Sequence, residues 1–277
     1  MNPSGAIAIL ATMSVAVRSV GDHLREWRQR RRMSQLQLAC EAEISARHLS
    51  FLETGRSTPS REMILHLAEQ LQIPARERNV LLITAGYAPI FPERRLDDPA
   101  LEAARQAVEL VLEAQKPYPA FALDRHWNIV ASNHALPQLY VGVAPALREP
   151  PVNVLRLSLH PDGLAPNIVN LAEWRAHLLA RLKHQIEITA DPALIELLRE
   201  VSRYPAPDAE PAHVAAAGTA VLIPLTIRIE AGTLSFLSTT TVFGTPLDVT
   251  LSELAIESFF PADAATAQIV RTLAAAT

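Results

Sequence analysis

The sequence predicts an α+β protein in two parts: an all-helical amino-terminal domain, and a larger domain in which helices accompany an antiparallel sheet. Apolar residues recur at helical spacing up to about Gly86, whereas several runs after Ala120 are rich in β-branched residues and bounded by turn residues. The length of 277 residues suits two domains. A composition of 49% hydrophobic and 19% charged residues provides enough apolar material for a core and too little charge for a disordered chain.

The amino-terminal domain is predicted to contain five helices, each with its own start or stop signal. Leu24 and Trp27 share one face of the first helix, and serines precede the second and third helices as N-caps. On the second helix we expect Leu36 and Ala39 to face inward. Glycine ends the third and the fifth helix. The predicted ranges are Val20–Arg31, Gln35–Ala42, Ala46–Glu53, a helix opened by Pro59 and Ser60, and Arg76–Ala85.

Basic charge is concentrated in this domain. Between Arg18 and Arg95 there are 13 arginines, no lysine and nine acidic residues, whereas the rest of the chain has 12 basic and 20 acidic residues. Five of the arginines crowd the end of the first helix: Arg25, Arg28, Arg30, Arg31 and Arg32. Cations there suit the helix dipole and phosphates alike, and the alternative is a solvated helix end. A basic module joined to an acidic body is typical of a nucleic-acid binder with a separate partner domain.

Two short helices across a tight turn form the unit with which many proteins read DNA. The segment Ser34–Ser60, SQLQLACEAEISARHLSFLETGRSTPS, resembles the XRE-type, or lambda-repressor-like, helix-turn-helix family. The resemblance implies a five-helix DNA-binding domain over residues 18–87. One position departs from the family, since Glu43 stands in the turn where glycine is common. A left-handed backbone at a residue other than glycine costs about 1 kcal/mol.

The third helix is the predicted reading helix. Leu49 and Leu52 define its buried face, so residues at the intervening positions point outward. Arg47, near the amino end, is the first choice for a base contact, because a guanidinium can bind guanine O6 and N7 together. Phe51 either contacts thymine methyls or packs against the protein, and Gln35 orients on phosphate or on a neighbouring side chain. The predicted DNA-binding residues, with Arg56 and Arg61 on phosphate, are Gln35, Ser45, Ala46, Arg47, Ser50, Phe51, Arg56 and Arg61.

Proline marks the passage to the second domain. Residues 88–98 are predicted to be a linker or a docked strap, and residues 99–277 the second domain. Strands are expected first as a hairpin and later as three runs, with helices between the two groups. The predicted strands are Ala120–Leu123, Asn128–Ala131, Ala220–Glu230, Thr233–Phe243 and Leu251–Phe260. The predicted helices are Pro99–Gln115, Ala135–Val141, Val169–Ile188, Asp191–Ser202 and Ala264–Ala275.

Two strands, then helices, then three strands is the element order of a PAS-like domain. Three segments, Pro119–Asn133, Asn153–Gln185 and Phe259–Leu273, are also similar to the ligand-binding domain of MmyB-like regulators. The phrases NVLRLSLHPDGLAPNIVNLAEWRAHLLARL and FFPADAATAQIVRTL carry that likeness. The resemblance implies a PAS-like fold and a small apolar ligand, of which a fatty acid is the expected one.

Such a ligand requires a pocket walled by aliphatic and aromatic side chains with a few polar anchors, and the alternative is a filled core. On one helix, His177 and Arg181 share a face with Trp174 and could hold a carboxylate between them, unless that face is a solvated basic edge. The predicted ligand-binding residues are Phe121, Leu123, Leu136, Tyr140, Arg156, Trp174, His177, Leu178, Arg181 and Phe236.

The sequence does not predict an enzyme. It contains neither GxGxxG nor a P-loop, and no histidine pair stands with carboxylates or cysteines at ligand spacing. We therefore expect no catalytic residue, no metal and no required cofactor, with a bound fatty acid as the expected small molecule. The single Cys40 excludes an internal disulfide and favours a reducing cytoplasm. Residues 1–17 are predicted to be a disordered lead-in, and no apolar run suits a membrane span.

These patterns predict a sequence-specific transcriptional regulator that binds a double-stranded DNA operator. One helix-turn-helix contacts only a few base pairs, so we expect a homodimer that reads two half-sites. The alternative is a DNA-binding repressor whose second domain is a protein-interaction or dimerisation module without a ligand.

Overall fold

The computed structural model describes residues 18–140, 142–205, 222–244 and 248–275. These residues form two compact units, one of residues 18–73 and 77–89 and the other of residues 74–76 and 90–275. The first is helical and the second combines helices with a sheet, which confirms the predicted α+β class. The predicted lead-in, residues 1–17, lies outside the described residues.

Within residues 18–89 five helices form, and serines begin four of them. The side chain of Ser34 accepts the N–H of Gln37, and Ser45 accepts that of His48 in the same way. Gly55 takes the left-handed conformation, with φ of +70°, just beyond the third helix. The helices are α1 Val20–Arg30, α2 Gln35–Glu41, α3 Ala46–Glu53, α4 Arg61–Gln70 and α5 Ala75–Thr84.

The buried face of α2 differs from the prediction. Leu36 is 66% exposed, so the prediction that it faces inward is wrong, whereas Ala39 is buried as expected. Leu38 and Ala42 complete the inner face. The short α2 has apolar residues at 36, 38, 39 and 40, and that pattern fits more than one helical phase.

The second unit contains an antiparallel sheet of five strands in the order β2-β1-β5-β4-β3 among the described residues. The strands are β1 Ala120–Leu123, β2 Ile129–Ser132, β3 Leu225–Ile229, β4 Gly232–Val242 and β5 Ala255–Pro261. The α-helices are α6 Glu102–Ala114, α7 Val154–Leu159, α8 Leu171–Thr189, α9 Pro192–Ser202, α10 Val249–Ser252 and α11 Ala264–Ala275. Short 3-10 helices lie at Pro99–Leu101, Leu136–Leu139, Pro145–Leu147 and Ala165–Asn167.

Two predicted elements need correction. The run predicted as a strand over Leu251–Phe260 begins with a helix, because the Asp248 side chain caps α10 and β5 starts only at Ala255. The helix predicted over Ala135–Val141 is a 3-10 turn at Leu136–Leu139. Val141 lies outside the described residues, as do the first two residues of the predicted strand Ala220–Glu230.

The two faces of the sheet have different partners, as strand alternation requires. On β1, Phe121 and Leu123 belong to the large core cluster with the α8 and α9 side chains, whereas Ala120 and Ala122 pack with Val108 of α6 on the other face. The proline-rich segment ahead of α6 is docked, since the N–H of Val249 donates to the carbonyl of Pro92. The Thr250 hydroxyl also donates to the Arg94 carbonyl, so residues 92–94 lie against α10 as a docked strap.

Candidate DNA-reading face and ligand cavity

Helix α3 packs against the domain through an apolar face and exposes an arginine on another face. Leu49 and Leu52 are 0% and 1% exposed, as predicted, whereas Arg47 is exposed near the capped amino end. Of the other predicted DNA-binding residues, three are exposed and four are half-buried. The exposed ones are Ser45, Arg56 and Arg61; the half-buried ones are Gln35, Ala46, Ser50 and Phe51.

The Phe51 ring lies between two arginines. The guanidinium carbon of Arg47 is 5.3 Å from the ring centroid, and that of Arg56 is 5.9 Å away. Cations over an aromatic face are attracted to it by about 0.5–1 kcal/mol at exposed sites. Phe51 therefore packs against side chains of its own protein, which is one of the two predicted alternatives, and its contact with thymine methyls stays a prediction.

A buried ion pair joins α3 to α1. Arg28 of α1 donates Nε–H to Glu53 Oε1 at 2.6 Å and Nη2–H to Oε2 at 2.8 Å, and its Nη1–H donates to the Met33 carbonyl. Gln35 completes the network by donating to Glu53 Oε2 at 2.8 Å. The hydrogen bonds that Arg28 donates to the Glu53 carboxylate raise the pKa of Arg28. Gln35 thus orients on a neighbouring side chain.

The sequence analysis did not predict this network. It placed Arg28 in a basic cluster that suits the helix dipole and phosphates, with a solvated helix end as the alternative. Arg28 is only 8% exposed, so the solvated helix end does not describe it. One signal was present in the sequence. Glu53 lies four residues after Leu49 and so falls on the buried face of α3, where a carboxylate requires a cationic partner.

Helices α1 and α3 also approach each other closely at Gly21. A Cβ at this residue would lie 2.3 Å from the Leu52 carbonyl oxygen and 2.9 Å from that of Glu53. Backbone atoms cannot yield as a flexible side chain does, so only glycine fits there. The ion pair and this contact together set the position of the reading helix.

In the second unit, one apolar cavity of about 40 Å³ lies between the sheet and the helices. Five of the predicted ligand-binding residues line it: Phe121, Leu136, Tyr140, Trp174 and Leu178. The ring of Phe121 stands 5.7 Å, centroid to centroid, from that of Phe259 on β5. The remaining lining residues are Trp127, Leu139, Val154, Leu157, Ser158, Leu164, Leu225, Glu257 and Phe259.

The other five predicted ligand-binding residues are not in this lining. Leu123 and Phe236 are core residues, 4% and 0% exposed. Arg156 pairs with Glu200, Nη2 to Oε2 at 2.7 Å. The remaining two, on α8, lie next to lining residues: the His177 ring is 5.5 Å from the Trp174 ring, and Arg181 pairs with Glu257.

Several polar side chains line or border the cavity. Arg181 donates to Glu257 Oε1 at 2.8 Å and stands over the Trp127 ring at 5.0 Å, and the Glu257 side chain is 4% exposed. The indole Nε1–H of Trp174 is buried and finds no acceptor among the described residues. Burial raises the pKa of the Tyr140 hydroxyl to about 12. Burial, aided by the Arg181 charge, lowers the pKa of His177, which favours the neutral imidazole.

Glu257 had no local signal in the sequence. It stands alone in a strand, and its partner Arg181 is 76 residues away. The strand register places it on the same face of β5 as Phe259, which turns it toward the cavity.

Comparison with known proteins identifies both units. Residues 19–81 match the family model of a helix-turn-helix domain, and residues 104–273 match that of the MmyB-like transcription regulator ligand binding domain. The chain therefore joins a helix-turn-helix domain to a ligand-binding domain of the kind found in transcription regulators. Because the second model covers more than half of the chain, the chain belongs to the MmyB-like family of such regulators.

Individual relatives are more distant. A protein of Methanoculleus marisnigri that carries the name of an HTH-type transcriptional regulatory protein is 36% identical over 120 residues, which are 42% of this chain and 38% of that protein. The chain thus matches well under half of the length of that relative. The solved structure of an RNA-binding Light-Oxygen-Voltage receptor is similar over 94% of this chain and 65% of its own, at 14% identity and a TM-score of 0.25, which is too low to bear on the fold.

The described residues contain neither a candidate membrane span nor a candidate metal site. No helix in the described ranges has both the length and the hydropathy needed to traverse a bilayer. Within the same ranges, no group of three His, Cys, Asp or Glu side chains is arranged to hold a metal ion.

Proposed function

We propose that the protein binds its operator as a homodimer and that an apolar ligand, a fatty acid being the expected one, enters the second domain and alters DNA binding. The observation that carries the proposal is an apolar cavity inside the family-matched ligand-binding domain, in whose lining the indole N–H of Trp174 meets no acceptor among the described residues. Pockets for small molecules have this character, since apolar walls supply affinity and a few polar groups fix orientation.

The size of the cavity determines how a ligand would enter. Its volume of about 40 Å³ is well below the roughly 300–1,000 Å³ of typical ligand pockets. A long-chain ligand therefore has to displace lining side chains, and the ligand-bound domain must differ from the structure described here. A domain that changes shape on binding can pass that change on as altered DNA affinity.

The first experiment asks whether the cavity holds a ligand. The purified protein is extracted with organic solvent and the extract is analysed by mass spectrometry. We expect a long-chain acid or a related lipid at near-stoichiometric amount. Leu178→Phe should reduce the recovered amount because the larger side chain occupies the cavity, whereas Leu182→Phe, one turn further along α8 and outside the cavity lining, overpacks the same helix and should retain it.

The small cavity also favours a second function, a repressor whose second domain is a protein-interaction or dimerisation module. A nearly filled core needs no ligand. A lipid-free extract from protein that also fails to bind added fatty acid would favour this function over ligand sensing.

The DNA-reading face is tested separately. Once an operator has been selected from random duplexes, Arg47→Ala should weaken specific binding by about 1–3 kcal/mol and relax the preference at one base pair. Arg61→Ala, at the start of α4, should weaken specific and non-specific binding alike, as loss of a phosphate contact does. If Arg47→Ala affected both kinds of duplex equally, Arg47 would be a phosphate contact.

A further inference from the structure

One buried donor in the cavity lining lacks a partner among the described residues. Trp174 is 3% exposed, it lines the cavity, and its Nε1–H meets no acceptor within the described part of the chain. Trp127 offers a contrast in the same lining, because its Nε1–H donates to Gln185 Oε1 at 2.7 Å. A buried donor without a partner is disfavoured unless a bound molecule supplies the acceptor.

The cavity lining also has a hydrogen-bond acceptor, the Glu257 carboxylate, whose lone pairs are only partly used. Glu257 is 3% exposed and receives Arg181 Nη1–H on Oε1 at 2.8 Å and Nη2–H on Oε2 at 3.4 Å. A carboxylate has about four lone-pair sites, so these two hydrogen bonds leave others for a ligand donor. The unit charges of Arg181 and Glu257 compensate each other.

The Arg181–Glu257 pair disfavours the binding of an anionic head group in this cavity. A ligand carboxylate that took Arg181 would leave Glu257 buried without its cation, and one that lay beside the intact pair would face the charge of Glu257. His177 nearby does not supply a cation, because burial lowers its pKa and favours the neutral imidazole. Tyr140 titrates only between a neutral hydroxyl and an anion, and burial raises its pKa to about 12 and so favours the neutral form.

We propose that the cavity binds the head of the apolar ligand as a neutral group, which accepts a hydrogen bond from Trp174 Nε1–H and donates one to the Glu257 carboxylate. The inference rests on the proposed function. A hydroxyl has this chemistry, and so does a carboxylic acid that has taken up a proton from water. The sensor therefore discriminates against the ionised form of a fatty acid.

The test compares three probes on the full chain at a pH near 8 by calorimetry: 1-decanol, decanoate and undecane, which has as many heavy atoms as decanol. We expect decanol to bind about tenfold tighter than decanoate. Decanoate binding as tightly as decanol, or tighter, would overturn the inference and leave apolar-ligand sensing intact. Failure of all three probes to bind would overturn the inference and ligand sensing together.

Two tryptophan variants test the assignment of the donor. Trp174→Phe should weaken decanol about fivefold relative to undecane, because it removes one hydrogen bond and retains an aromatic wall. Trp127→Phe removes an N–H that is already bonded within the protein, so it should change both affinities by the same factor. Equal decanol-to-undecane ratios in the wild type and Trp174→Phe would refute the role of Trp174.

Glu257→Gln tests the acceptor. Removing the charge should narrow the gap between decanol and decanoate by about fivefold or more, since the like-charge repulsion is lost. Circular dichroism reports whether this variant folds, and the probe ratios of the tryptophan variants stand independently if it does not. An unchanged gap in folded Glu257→Gln would refute the role of Glu257.

Discussion

Replacing Glu53 with glutamine should loosen the reading helix without touching its DNA-facing residues. Glu53 and Arg28 have side chains that are 1% and 9% exposed and are joined by two hydrogen bonds. Removing one partner of a buried pair costs about 3–5 kcal/mol, because the other charge stays buried and unpaired. Since whole domains are stable by about 5–15 kcal/mol, the amino-terminal unit would lose a large share of its stability.

Hydrogen exchange measured peptide by peptide on the full chain is the suitable assay, because it reports on α1 and α3 separately from the second domain. The free energy of opening at the α3 amides should fall by about 3 kcal/mol in Glu53→Gln. The double variant Arg28→Met/Glu53→Leu removes both charges and should recover most of that loss. A loss below about 1 kcal/mol in Glu53→Gln, or a double variant no better than the single one, would refute the reasoning.

Three further predictions concern stability. Glu43→Gly should stabilise the first unit by up to about 1 kcal/mol, because Glu43 has φ of +52° in the turn between α2 and α3. Gly21→Ala should cost about 1–3 kcal/mol, because its Cβ meets the Leu52 carbonyl. The Arg156 hydrogen bond lowers the pKa of Glu200 from 4.5, so this pair stabilises the second unit above that pH and the contribution is lost as the pH falls through the lowered value.

Each of these predictions has a matched control. Glu43→Ala shortens the side chain without freeing the backbone, so a gain equal to that of glycine would contradict the left-handed-turn explanation. Gly244→Ala, where the added Cβ meets nothing within 4 Å, reports the general effect of the exchange. In Arg156→Met, urea midpoints followed by tryptophan fluorescence should fall less on acidification than in the wild type. An identical pH profile would exclude a role for the pair.

Local chemistry made the helix-turn-helix predictable. Ser34 and Ser45 cap their helices, Gly55 follows α3 with a left-handed backbone, and Leu49 and Leu52 are buried, all as their positions and types required. Each of these signals lies within one turn of the feature that it determines. The prediction that Leu36 faces inward was wrong because a seven-residue helix allows more than one phase for its apolar face.

The polar side chains around the cavity come from residues that are far apart in the sequence, so their arrangement was only partly predictable. Trp174 and Leu178 were identified from helical spacing, but the partner of Arg181 comes from a strand 76 residues later in the chain. The strand predicted over residues 251–260 was placed too early, because Asp248, which precedes that run, caps the helix α10. Pairing across a sheet is set by register, and single-sequence periodicity does not determine it.

The most direct test of the central claim is whether an apolar ligand changes DNA affinity. Fluorescence anisotropy with a selected operator duplex gives Kd for the full chain with and without saturating 1-decanol. The account predicts a change of at least about fivefold, and a change of less than about twofold in Leu178→Phe, whose cavity is filled. The same Kd with and without decanol, at a concentration where calorimetry shows the cavity to be saturated, would contradict it.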